Sequence, residues 1–132
     1  MQISLNTKYI MISSAIIMGL IGVPASFFPQ EILNKMGLVS TELAPLCLQL
    51  LSAVYMGFAI MNWMAKTVLI GGIYARPLAM GNFFHFFIGA IALAKVTKYA
   101  STSTYVWIAC AVYSVFALLF GIVLLKAPVK NK

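Results

Sequence analysis

Apolar residues in this chain fall into four long runs, at 9–28, 43–65, 77–96 and 104–125, separated by short polar or proline-bearing segments. Each run has the roughly 20 residues that a helix needs to cross a hydrocarbon core about 30 Å thick. No Asp or Glu interrupts any of them. The pattern predicts an all-α membrane protein, an antiparallel four-transmembrane-helix bundle within one integral membrane domain over 1–132. Between the first two runs, PQEILNKMG at 29–37 reads as a short interfacial helix. Pro29 and Glu31 suit its start and Gly37 its end. Ile32, Leu33 and Met36 would face the membrane, and Gln30, Asn34 and Lys35 water. Ser40 or Thr41 is then the expected cap of the second span. The apolar segment 67–75 carries Gly71-Gly72 and is expected to be a tight interfacial loop. Pro77 sets the start of span three, because its missing N–H costs nothing in a first helical turn.

Composition agrees with this pattern. Of 132 residues, 63% are hydrophobic and 8% charged, and the mean hydropathy is +1.01. Soluble chains are about 25% charged. A soluble fold of this length cannot bury so much apolar surface. A soluble enzyme, a nucleic-acid-binding domain and a disordered linker are thereby excluded. Nine Lys and Arg outweigh two acids, but they stand singly between apolar runs. They therefore point to anionic lipid headgroups and to topology, not to nucleic acid.

With both termini on one side, that side holds Lys8, Lys66, Arg76, Lys126, Lys130 and Lys132. The other holds Lys35, Lys95 and Lys98. The positive-inside rule then puts both termini in the cytoplasm. The first run also has features of a signal peptide, with Lys8 before an apolar core and Val23-Pro24-Ala25 near its end. A single basic residue ahead of the core favours a retained helix, with Pro24 as a kink. Cys47 and Cys110 lie far apart in apolar runs and are expected to pack as small hydrophobes.

Each span carries small and polar residues at helical spacing, the pattern by which helices associate in lipid. In span one these are Ala15, Gly19, Gly22 and Ser26. Span two has Gln49, Ser52, Tyr55, Ala59 and Asn62. Span three has Gly81, Asn82, His85, Gly89 and Ala92, and span four Cys110, Ser114, Ala117 and Gly121. Ile, Leu, Val, Met and Phe are left for lipid. The Phe83-Phe84-His85-Phe86-Phe87 run distributes its rings around a turn, so that one or two lean inward beside His85. Trp63, Trp107, Tyr9 and Tyr105 sit at span ends, as interfacial aromatic belts require.

The most informative polar cluster joins the ends of spans two and three. Asn82 and His85 lie about 8 and 12 Å along the helix from Pro77, and Asn62 lies at a similar depth from its own end. Arg76 and Lys66 are expected to anchor headgroups. Two readings stand for Asn62, Arg76, Asn82 and His85. One is interhelical hydrogen-bond glue; the other is a site for a small molecule or lipid in a transporter or channel. No metal-ligand cluster, bis-histidine haem pair or nucleophile–base set is visible, so no catalytic residue, cofactor or metal is assigned. A proton-coupled exporter would need an intramembrane acid, which the spans lack.

The segments FFPQEILNKMG, LLSAVYMGFAIMNWMAK and YARPLAMGN resemble, in their order, small four-span bacterial proteins of the DoxX-like group. That resemblance implies a four-helix bundle in the bacterial inner membrane, often a subunit or accessory of a larger system. It supplies no catalytic residues. The expected function is therefore a non-enzymatic accessory or assembling subunit, partnered by itself or by another membrane protein.

Overall fold

The computed structural model describes residues 6–38, 41–68, 75–99 and 103–125. All the regular structure there is helical: α1 (Thr7–Phe27), α2 (Pro29–Lys35), α3 (Leu43–Met64), α4 (Arg76–Val96) and α5 (Thr104–Leu125), with one tight turn, Ala65–Thr67, extending α3. Four of these helices, all but α2, are long and apolar enough to cross a membrane. The segment 69–74, including Gly71-Gly72, lies outside the described residues, as do Ser40 and the lysines at 126, 130 and 132.

Helix starts follow local chemistry. Asn6 accepts the backbone N–H of Lys8 through its side-chain oxygen at 3.2 Å. The Ser103 hydroxyl accepts that of Tyr105 at 3.4 Å. Both satisfy N–H groups that a first turn leaves without helical partners. In both cases an Asn or Ser stands just ahead of the apolar run, the sequence signal for a cap. Pro77 lies in the first turn of α4, as expected. The cap expected at Thr41 does not form. The residue at that position is Glu42, with helical backbone angles and no side-chain cap bond, and Thr41 contributes only its carbonyl, to the N–H of Ala44.

The short helix α2 ends where the sequence places it. Gly37 has φ +71°, the Gly37 N–H donates to Asn34 O and the Leu38 N–H to Leu33 O. This paired closure needs a left-handed residue, which glycine adopts without a Cβ penalty. Leu33 is buried and Gln30, Asn34 and Lys35 are exposed; Met36, expected to face the membrane side with Leu33, is also exposed.

The described residues form two compact units. Those of 11–67 make up one, and those of 68–132 with those of 1–10 make up the other. In the first, α1 and α3 run antiparallel. Ser14 meets Asn62, Gly19 faces Ala59, Gly22 faces Met56, and the Ser26 carbonyl meets Gln49. That last contact, at 3.4 Å, satisfies a carbonyl in the final turn of α1, which has no helical donor. Helix α2 rests on α3.

In the second unit α4 and α5 also run antiparallel. Phe83 meets Gly121, Phe86 stacks on Phe116, Gly89 faces Tyr113, and the Cys110 thiol donates to Ala90 O. The expectation for α5 holds in part: Cys110 and Gly121 meet α4 and Ala117 is buried. Of Cys110, Ser114, Ala117 and Gly121, only Ala117 is buried, and its buried companions are Tyr113, Phe116, Phe120 and Val123. Ala92 of α4 is likewise exposed. Large rings on α5 fit against the turn carrying Phe86 and Gly89, so this pair packs aromatic side chains alongside the small ones that the spacing picks out.

Candidate functional site

Four polar side chains are buried among the described residues: Ser14, Ser52, Asn62 and Asn82. An apolar surround makes an unbonded polar group costly, and each of these makes a hydrogen bond. The Asn62 amide donates to the Ser14 hydroxyl at 3.0 Å and approaches the Met18 sulfur at 3.9 Å. The Ser14 hydroxyl in turn donates to Met11 O, one turn back, at 3.0 Å. A hydroxyl can accept one bond while donating another, so the three groups form a relay from α3 into the backbone of α1. Ser52 donates to Gln49 O at 2.6 Å, and Asn82 to Leu78 O at 3.0 Å.

Asn82 and His85, three positions apart on α4, share a face of that helix. Asn82 is fully buried and His85 half-buried. The His85 ring lies 5.2 Å edge-on from Phe86 and 5.8 Å from Tyr113, measured between centroids. Phe86 is the ring of the Phe run that turns fully inward, stacking on Phe116 and Phe120 at 4.8 and 5.8 Å, while Phe84 and Phe87 are exposed. Arg76 is exposed at the first residue of α4. Asn62 belongs to the other unit, where it bonds Ser14.

Lys66, on the turn that follows α3, places its ammonium 3.6 Å from the centroid of the Trp63 ring. An ammonium over an indole face is held by the ring quadrupole. Trp63 also lines an open apolar groove of about 310 Å³ between α1 and α3. Ala15, Ile16, Gly19 and Val23 form one wall, and Met56, Ala59, Ile60 and Trp63 the other. The floor lies low because Ala15, Gly19 and Ala59 are small. The rims stand out because Ile16, Val23, Ile60 and Trp63 project from the surface. Sequence spacing flagged the small residues as a packing seam but gave no sign that part of the seam stays open.

Among the described residues no three His, Cys, Asp or Glu side chains come together, and both cysteines are free thiols. No family model, curated protein or solved structure matches the chain.

The Asn62–Ser14 bond makes a direct prediction. Polar contacts between membrane helices average about 0.6 kcal/mol and reach about 1.7. Asn62→Ala and Ser14→Ala are each expected to destabilise the protein within that range in mixed-micelle unfolding. Since each variant breaks the same bond, the double variant should cost clearly less than the two single losses added together. Simple additivity would show that the pair does not act as one contact.

Proposed function

We propose that this chain is a non-catalytic, multi-pass protein of the bacterial inner membrane that serves as an accessory or assembling subunit. In this reading its four long helices form an antiparallel bundle with both termini in the cytoplasm. The observation that carries it is how the polar groups are used. The four fully buried polar residues, Ser14, Ser52, Asn62 and Asn82, each bond their own helix or the neighbouring one, as structural hydrogen bonds do. Reactive groups are instead left facing a cavity with a partner acid or base.

A second feature supports assembly. Helix α3 buries little of its length, and Leu43, Leu46, Leu50, Leu51, Val54, Ile60 and Met61 are all exposed. Such a surface is suited to lipid or to the helices of another membrane protein. The resemblance to DoxX-like proteins points the same way, and the six-to-three split of basic residues supports cytoplasmic termini. Mass measurement after gentle extraction tests the reading. The expected species contains more than one copy or a stoichiometric second membrane protein; a strictly monomeric 14.4 kDa chain would overturn it.

A further inference from the structure

We infer that the α1–α3 groove is a binding site for an anionic phospholipid, with an acyl chain along the groove and the headgroup phosphate on Lys66. The inference rests on the membrane placement proposed above, but not on assembly. The groove is open, apolar and elongated. It follows α1 from Ala15 to Val23, about 12 Å at the rise of an α-helix, a shape suited to a stretch of hydrocarbon chain. Its rims are accessible: Ile16, Ile60 and Trp63 are each about half exposed, at 49%, 57% and 49%.

Charge decides which lipid. The unit over 11–67 has four charged side chains. Glu31, Lys35 and Glu42 lie at the α2 end, where the balance is negative. Of these four, Lys66 lies at the opposite end, which the first turn of α1 with Lys8 shares, and its ammonium stands over the indole that forms the groove's terminus. An ammonium has three donors, and a ring face occupies only one side of it. The remaining donors are available to a phosphate at the Trp63 end of the groove. A zwitterionic headgroup would bring a competing cation to the same place, so the anionic class is favoured. Trp63 serves both parts of the site, closing the apolar trough and holding the charge at its mouth.

Trp63 also provides the readout. Trp107 is the only other tryptophan, so a Trp107→Phe protein reports from the groove alone. This protein is reconstituted in phosphatidylcholine vesicles containing equal small fractions of either bromo-acyl phosphatidylglycerol or bromo-acyl phosphatidylcholine. One basic side chain at a membrane surface enriches anionic lipid about fivefold, and the brominated anionic lipid is expected to quench Trp63 with that advantage. Lys66→Gln should remove the advantage. Ala59→Leu, which fills the floor, should reduce quenching by the anionic lipid while Lys66 is still present. Equal quenching by the two lipids, or an advantage that survives Lys66→Gln, overturns the proposal. Quenching by neither lipid, together with protection from aqueous acrylamide, means that a second protein surface covers the groove, and likewise overturns it. Strong acrylamide quenching without lipid quenching would instead overturn the membrane placement itself.

Discussion

Gly89→Ala is expected to destabilise the α4–α5 hairpin by about 1–3 kcal/mol, the usual cost of forcing extra volume into a packed site. A Cβ at residue 89 falls 2.5 Å from both Cδ1 and Cε1 of Tyr113. Those atoms belong to a rigid ring that cannot bend away as the end of a flexible chain can. Nor is the ring free to swing, since Tyr113 is buried in a T-shaped contact with Phe86 and a tilted one with His85. Relief therefore requires the two helices to separate or the aromatic stack to rearrange. Equilibrium unfolding in mixed micelles measures the loss. Tyr113→Ala in the same chain supplies the control, because it removes the atoms that the new methyl strikes. The double variant should be scarcely less stable than Tyr113→Ala alone. Equal losses from Gly89→Ala in the two backgrounds would show that Tyr113 is not what the methyl meets.

The clash also shows where sequence reasoning stopped. The four spans were legible because a membrane helix declares itself by length and continuous apolarity, a signal that needs no knowledge of contacts. The short α2 was legible because proline and glycine carry their own backbone requirements at its two ends. Which face turns inward was less so. In lipid, polarity no longer separates inside from outside: Phe86 and Phe84 are equally apolar, yet one is buried and the other exposed. Small residues were the available guide. They served well on α1, where Ala15 and Gly22 are buried, and only in part on α5, where Tyr113, Phe116 and Phe120 share the seam with Cys110, Ala117 and Gly121. The partner of Asn62 was hidden for a related reason. Its distance to Ser14 depends on the register of α1 against α3, set by the close approach at Gly22 and by the Gln49–Ser26 contact 23 residues apart in sequence. The groove beside Lys66 required the same register, together with the positions of the side chains that leave it open.

That register predicts opposite outcomes for two glycines three residues apart. Gly22→Ala is expected to cost about 1–3 kcal/mol, and Gly19→Ala close to nothing. A Cβ at residue 22 lies 2.9 Å from Met56 Cγ, 3.1 Å from Tyr55 Cβ and 3.2 Å from the Met56 backbone nitrogen. A methionine side chain alone adapts readily, but Tyr55 Cβ and the Met56 nitrogen move only with α3 itself. The helices must therefore part at this level, and the separation is carried along both axes. At residue 19 the nearest atom is Ala59 Cβ at 3.9 Å, ordinary van der Waals contact, and a methyl there fits beneath the groove floor. Both substitutions raise helix propensity equally, by about 1 kcal/mol over glycine, so the difference between them isolates the packing. In mixed micelles Gly19→Ala should unfold at or slightly above the parent's midpoint and Gly22→Ala well below it. Parting α1 from α3 at Gly22 also strains the Asn62–Ser14 bond eight residues away along α1. Combining Gly22→Ala with Asn62→Ala should accordingly destabilise by less than the sum of the separate effects. Equal tolerance of alanine at residues 19 and 22 would place the α1–α3 contact in a different register and dissolve the groove with it.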